Sequence, residues 1–132
     1  MRFTLDQANA GATPLARLLG MKIVALQPDE VIGELTVTEE LCTLPTGLHG
    51  GAIMALADNT AAVATMLNLP DGATGTTTLE SKTNFFAPAP VGAVVRAIAT
   101  PLHRGRRTQV WQTRVERDGR LIASVTQTQM IL

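Results

Sequence analysis

One long segment of the chain, from Gly50 to about Leu67, carries apolar residues at helical spacing. The positions that follow this spacing are Ile53, Leu56, Thr60, Val63 and Leu67. Most of the other positions hold alanine or methionine, so the segment is apolar or small on nearly every face. A helix with this composition is typical of a protein interior. The pattern therefore predicts one long helix that is buried rather than laid on a surface.

Strand-like patterns stand on both sides of this helix. Two strands precede it as a hairpin around Pro28-Asp29-Glu30, and four follow it, joined by short turns that include Asp118-Gly119. Their ranges are 21–27, 31–38, 75–86, 93–103, 108–117 and 121–132. A short helix is predicted from Thr13 to Gly20, where a threonine cap precedes proline and glycine ends the segment. This order predicts an α+β fold: a curved antiparallel sheet wrapped around one long central helix.

The strand that follows the helix raises the question of how the sheet ends. Its sequence, TTTLESKTNFF, is long and rich in hydroxyl side chains. At the edge of a monomeric sheet, such a strand would expose a row of unpaired backbone groups. We therefore expect the protein to form a homo-oligomer by dimerisation.

Composition narrows the class of protein. The chain has 132 residues, 45% of them hydrophobic, which predicts a single domain over residues 1–132. Eleven basic and eleven acidic residues cancel and only 3% are aromatic, so we expect no nucleic-acid partner. The longest apolar stretch is interrupted by Asp58 and Asn59, so we expect no membrane partner either. One cysteine and no leader-like start favour the cytoplasm.

Asp58 is the residue that the fold alone does not explain. It lies in the segment GLHGGAIMALADNT, between Ala55, Leu56 and Ala57 on one side and Ala61 and Ala62 on the other. An isolated aspartate on a helix is most often a solvated surface residue. A carboxylate among apolar neighbours is costly unless it has a partner, so its presence here indicates a functional role.

The segment HGGAIMALAD resembles the PaaI-like acyl-CoA thioesterases of the hotdog superfamily. Two further segments are similar to that family: LESKTNFFAPA, after the helix, and the turn Gly105-Arg106-Arg107. The resemblance runs from about Leu35 to the C-terminus. It implies the hotdog fold, hydrolysis of an acyl-CoA thioester to the free acid and CoA, and a homodimer or homotetramer. We expect no metal and no organic cofactor.

The resemblance also implies roles for the residues around the start of the helix. The Gly50 amide would donate a hydrogen bond to the oxyanion, and Asp58 would act as the nucleophile or as the general base. Gly51 has no side chain and would let the substrate approach the backbone closely. Eight residues separate Gly50 from Asp58, or roughly 12 Å at about 1.5 Å per helical residue. The two groups can therefore meet one carbonyl only if they belong to different chains.

The remaining candidates each have an ordinary structural alternative. His49 either contacts the thioester or caps the helix. Thr43 stands where the family often has Asn or Gln, and it binds substrate or is simply a loop residue. Thr78 is the best match to a family Ser or Thr that places the attacking water, and the adjoining Thr77 is a candidate to bind substrate. Since Thr76 adjoins both, at least two of the three are equally explained as ordinary strand residues. Arg104, Arg106 and Arg107 either contact the phosphates of CoA or form a solvated turn. A metal site is not expected, because His103 lies far along the chain from His49.

Three other functions compete with hydrolysis. A non-catalytic hotdog protein that binds acyl-CoA as a sensor would share the fold, but it would not need Asp58 beside the His-Gly-Gly segment. A hydratase or dehydratase of the same fold would need a histidine and an acid placed for proton transfer, and no such second motif is present. A purely structural dimer would leave Asp58 unexplained.

Overall fold

The computed structural model describes residues 1–132, which form three α-helices and a six-stranded antiparallel sheet. The helices are α1 (Leu5–Ala10), α2 (Pro14–Leu19) and α3 (Gly50–Leu67). The strands are β1 (Lys22–Gln27), β2 (Glu30–Thr36), β3 (Thr76–Phe85), β4 (Val94–Arg104), β5 (Thr108–Arg117) and β6 (Arg120–Ile131). Every predicted strand is present within about two residues, and α3 has the predicted bounds.

The sheet has the strand order β1-β2-β4-β5-β6-β3, so β1 and β3 form its two edges. β5 and β6 are joined by the predicted two-residue hairpin, in which Asp118 and Gly119 both have positive φ, 50° and 75°. That geometry is the type I′ turn, which matches the twist of paired strands. The hydrophobic core lies between α3 and the sheet. The predicted hotdog architecture, one sheet around one long helix, is confirmed.

The burial of α3 differs from the prediction, because only part of the helix is covered. Its core side includes Ile53, Leu56, Ala57, Thr60, Ala61 and Ala64, all buried against the sheet. Its open side consists of Gly51, Met54, Ala55, Asp58, Asn59, Ala62, Val63 and Met66, which are partly or fully exposed. The helix has the length and mean hydropathy, 1.2, of a membrane span, and half of it is buried within the protein. The open side of α3 carries alanines, as the core side does, and this explains why the sequence pattern did not distinguish the two sides of the helix.

α3 lies in close contact with β2 at Gly33. A Cβ atom on Gly33 would collide with the hydroxyl of Thr60, which is itself buried and donates a 2.8 Å hydrogen bond to the carbonyl of Leu56. Glycine at this position therefore sets the distance between helix and sheet.

The N-terminal helices were only partly predicted. α2 has the expected cap, because the Thr13 side chain accepts a hydrogen bond from the Ala16 amide. α1 was not predicted, although Thr4 and Gln7 form a reciprocal capping box at its start. α1 packs beside β1, where the Asn9 amide group bonds both the carbonyl and the N–H of Ile23, at 2.8 and 2.9 Å. This contact covers part of the β1 edge of the sheet.

Candidate active site

The N-terminus of α3 presents one free backbone amide. His49 is the N-cap residue, and its Nδ1 accepts a 2.8 Å hydrogen bond from the Gly51 N–H. The predicted capping role of His49 is therefore present in the structure, and the Gly51 amide is occupied. The Gly50 N–H has no acceptor within the chain. The first amides of a helix carry partial positive charge, so the Gly50 N–H is suited to bind a negatively charged oxygen.

The ring of Phe85 lies against the backbone of Gly50. A Cβ atom at Gly50 would come within 3.2 Å of the Phe85 ring carbons, so any larger residue would have to displace the ring. Phe85 is the last residue of β3, and Thr78, near the first residue of that strand, contacts Asp58. The two ends of the candidate site on α3 are therefore both bordered by β3.

Asp58 is held through one of its two carboxylate oxygens. Its Oδ1 accepts hydrogen bonds from the hydroxyl of Thr78 at 2.7 Å and from Nε2 of Gln127 at 2.8 Å. Its Oδ2 has no donor within the chain. Asp58 lines an open cleft of about 290 Å³ together with Met54, Ala55, Thr78 and Ser81. The arrangement fixes the carboxylate in place and leaves one oxygen for a substrate or a water molecule.

Behind Asp58 lies a series of polar side chains on β3 and β6. Nε2 of Gln129 donates to the hydroxyl of Thr78 at 2.9 Å. The hydroxyl of Thr76 lies within hydrogen-bond distance of two acceptors, the Met130 carbonyl at 2.8 Å and Oε1 of Gln129 at 2.9 Å. Gln127 and Gln129 are fully buried. Sequence reasoning missed both glutamines. The available signal was their spacing by two residues after Val125, which places all three side chains on one face of β6.

Of the adjoining threonines, only Thr78 contacts Asp58. Thr77 pairs with the exposed Met130 on β6, whereas Thr78 pairs with the buried Gln129. Neighbouring strand residues face opposite sides of a sheet, so Thr77 points away from α3. Thr77 therefore lies on the outer face of β3 and does not line this cleft, and its contact with substrate stays a prediction.

Thr43 does not reach the cleft either. It is exposed in the loop between Cys42 and Leu48, where its N–H donates a 2.8 Å hydrogen bond to the Gly47 carbonyl. Its side chain makes no hydrogen bond within the chain. In the single chain, Thr43 is therefore an exposed loop residue.

The predicted arginine cluster is divided. Arg104 forms an ion pair with Asp29 at 2.8 Å and also donates to the Pro28 carbonyl, so it ties β4 to the β1–β2 turn. Arg106 and Arg107 are exposed and have no ion pair. They line a shallow cleft of about 680 Å³ with His103, which is also exposed. Of the three arginines, only Arg106 and Arg107 therefore lack a side-chain partner within the chain, and the contact of this cluster with CoA stays a prediction.

Comparison with known proteins identifies the family of the chain. Residues 47–124 match the family model of the thioesterase superfamily. The chain is 33% identical to a 1,4-dihydroxy-2-naphthoyl-CoA hydrolase of Escherichia coli over 99% of this chain and 96% of that protein. A thioesterase of Haemophilus influenzae has the same fold with a TM-score of 0.91 and 29% identity, over 98% of this chain and 91% of that one.

A second solved structure, a mutant of the phenylacetic acid degradation protein PaaI of Thermus thermophilus, superposes with a TM-score of 0.84. It shares 31% identity with this chain, and the match covers 91% of this chain and 100% of that one. The matched residues 47–124 contain the free Gly50 amide, Asp58 and Thr78. The chain therefore belongs to the thioesterase superfamily and is a PaaI-like thioester hydrolase of the hotdog fold.

Proposed function

We propose that the protein hydrolyses an acyl-CoA thioester to the free acid and CoA, with Asp58 as its catalytic carboxylate. The observation that carries this proposal is the anchoring of Asp58 by Thr78 and Gln127 through Oδ1, while Oδ2 is left without a donor beside the open cleft. A carboxylate that served only as a surface charge would need no buried donors. A carboxylate that must meet a carbonyl carbon or a water molecule needs a fixed position.

The chemistry follows from the two groups on α3. The Gly50 N–H donates to the thioester oxygen and stabilises the negative charge that develops there. Oδ2 of Asp58 then either attacks the carbonyl carbon, giving an enzyme-bound anhydride that water opens, or takes a proton from the water that attacks. On both routes a C–O bond forms, the C–S bond breaks, and the sulfur leaves as the CoA thiolate.

The site is proposed to form between two copies of the chain. Gly50 and Asp58 lie roughly 12 Å apart along one helix, at about 1.5 Å per residue, so they cannot contact the same carbonyl. Two α3 helices packed side by side in opposite directions would bring Asp58 of one copy towards Gly50 of the other. The partly exposed alanines on the open side of α3, such as Ala55 and Ala62, allow close approach of a second helix.

Two observations support a CoA ester as the substrate. The E. coli relative and two others, of Listeria monocytogenes and Arabidopsis thaliana, are 1,4-dihydroxy-2-naphthoyl-CoA hydrolases or thioesterases. In this chain, Arg106 and Arg107 are exposed and unpaired, and guanidinium groups bind phosphate through paired N–H donors. We therefore propose that the phosphates of CoA bind at Arg106 and Arg107. The cytoplasmic location remains a prediction from the single free cysteine, Cys42.

Thiol release from a panel of CoA esters tests the proposal. The panel holds short, medium and long acyl groups, benzoyl-CoA and a hydroxynaphthoyl-CoA, each assayed with the wild type and with Asp58→Asn. Because general-base or nucleophilic catalysis is lost, we expect turnover by Asp58→Asn to fall about a hundredfold or more. Asp71→Asn makes the same chemical change at an exposed loop residue after α3, so it is the matched control and should keep wild-type turnover.

The same assay separates hydrolysis from ligand sensing. If the wild-type protein binds CoA esters in calorimetry but releases no thiol from any of them, the result contradicts hydrolysis and supports the acyl-CoA sensor. If Asp58→Asn hydrolyses the esters as fast as the wild type, the protein is a hydrolase but Asp58 is not its catalytic carboxylate. Analytical ultracentrifugation of the active sample tests the shared site, since a monomer that turns over substrate contradicts it.

A further inference from the structure

Three buried glutamines lie on adjacent strands beneath α3, and an ordinary core does not account for them. Gln109 on β5 and Gln127 and Gln129 on β6 are each 0–1% exposed. A buried amide costs free energy unless its groups are hydrogen-bonded, and a valine such as the neighbouring Val125 would avoid that cost. Each glutamine therefore needs a reason in the contacts that it makes.

Gln109 has a structural reason. Its Oε1 accepts from the indole N–H of Trp111 at 3.2 Å, and its Nε2 donates to the carbonyl of Asn68 at 2.9 Å. Asn68 is the C-cap of α3, so Gln109 joins the end of that helix to the sheet. Neither group of Gln109 contacts Asp58 or its partners.

The contacts of Gln127 and Gln129 lead instead to Asp58. The best hydrogen bond of Gln127 is the 2.8 Å contact from Nε2 to Oδ1 of Asp58, and its Oε1 has no partner. Gln129 donates to Thr78, which donates to the same Oδ1. Since Thr78 has one hydroxyl proton and Asp58 needs it, Thr78 can only accept from Gln129. Every donor in this series is therefore directed towards Asp58.

We propose that Gln127 and Gln129 are positioning residues for Asp58: Gln127 fixes Oδ1 directly, and Gln129 fixes it by orienting the hydroxyl of Thr78. This inference rests on the proposed catalytic role of Asp58. Oδ1 is the anchored oxygen, and Oδ2 is the oxygen that reacts. Thr78 acts on Asp58 rather than on the attacking water, because its only proton is already donated to Oδ1.

Methionine substitutions at the three glutamines test this inference. Methionine keeps an unbranched side chain of similar length but has no N–H donor. For Gln127→Met we expect kcat to fall about ten- to a hundredfold, the scale of loss when a catalytic group is displaced by about 1 Å, with KM changed by less than about twofold. Gln129→Met should lower kcat less, since one hydroxyl stands between Gln129 and Asp58.

Gln109→Met is the matched control, because Gln109 pairs directly with Gln129 in the sheet and is equally buried. Its substitution should lower the melting temperature while kcat stays within about twofold of the wild type, because neither polar group of the Gln109 side chain bonds to Gln127, Gln129 or Asp58. Equal kcat values for Gln127→Met and Gln109→Met would overturn the inference. A rise in KM with unchanged kcat in Gln127→Met would overturn it as well.

Two further variants keep the outcome interpretable. Should Gln127→Met fail to fold, Gln127→Asn keeps an amide in the core but withdraws it from Asp58, and the same fall in kcat is expected. Asp58→Asn is assayed beside the series with the best substrate of the panel. Loss of activity in Asp58→Asn with none in Gln127→Met rejects the positioning role alone. Full activity in Asp58→Asn, or a wild type that hydrolyses no ester, rejects the catalytic role of Asp58 and the positioning role together.

Discussion

The two edges of the sheet are built differently. β1, at one edge, has six residues, a register irregularity after Ile23, and α1 beside it. The Asn9 amide bonds the N–H and the carbonyl of Ile23 there, so part of the edge is paired. β3, at the other edge, has ten residues, none of them buried, and no helix beside its outer side. One edge is short, irregular and covered, and the other is long and open.

This difference indicates which edge is available for another strand. Proteins commonly protect sheet edges with short strands, bulges or a covering helix, and β1 has all three features. β3 also carries the exposed side chains of Leu79 and Phe85, with Phe86 just beyond it, which favour contact with a further protein surface. The same strand borders Asp58 through Thr78 and Gly50 through Phe85. A second copy paired at β3 would therefore assemble beside the groups that the proposed reaction needs.

Leu79→Glu should have the largest effect, on self-association. Leu79 is 56% exposed and lies at the register shift of β3, without a partner on β6. Burying a leucine contributes about 1.5–3 kcal/mol, and a two-fold interface buries it twice, so we expect the dimer to weaken by about 3–6 kcal/mol. Sedimentation velocity over a range of concentrations measures the change.

Leu18→Glu provides the comparison for this experiment. Leu18 is 79% exposed on α2, away from β3, so its substitution adds the same charge without touching the open edge. Leu18→Glu should leave the dissociation constant of the dimer unchanged. If both variants dissociate equally, or neither does, β3 is not the interface.

Asn9→Ala should have the next largest effect, on the free energy of unfolding. It removes both hydrogen bonds to Ile23 and leaves the partly buried backbone groups of β1 uncovered. Lost bonds of this kind cost about 1–3 kcal/mol, which urea denaturation measures. Asn84→Ala, on the open edge, is the control and should change stability by less than about 0.5 kcal/mol. Comparable losses in the two variants would show that the β1 edge is not specially protected.

The contrast between the edges also explains which parts of the fold were predictable. The bounds of α3 and the Asp118-Gly119 turn depend on neighbouring residues, so local patterns were sufficient. α1 has only six residues, too few for a clear apolar period, and its capping box was the one signal. The contact between Arg104 and Asp29 joins residues distant in sequence, and no local pattern indicates it.

In the candidate site, too, only the residues that are close together in the sequence could be predicted. The His-Gly-Gly segment and Asp58 are close in sequence and carry a recognisable spacing. The end of β6 reads Thr126-Gln127-Thr128-Gln129, which is polar on both faces, so only the preceding Val125 indicates which side faces the core. Likewise, the register shift between Thr78 and Glu80 determines how β3 meets β6, and the run of threonines conceals it.

The smallest expected effect is a fall in kcat when a hydroxyl is removed from one face of β3 but not from the other. Thr78→Val keeps the shape of the side chain but removes the hydroxyl that donates to Oδ1 of Asp58 at 2.7 Å. A hydrogen bond to a charged group contributes about 1.5 kcal/mol at the lower end of its range, which corresponds to about a tenfold fall in kcat. Thr78→Ser retains the donor and should recover most of the rate.

Thr77→Val is the control: it removes a hydroxyl from the outer face of the same strand and should leave kcat unchanged. Equal falls in kcat for Thr77→Val and Thr78→Val would mean that the substitutions act through the stability of β3. A fall for Thr78→Val alone would show that the hydroxyl on the inner face of β3 acts on Asp58.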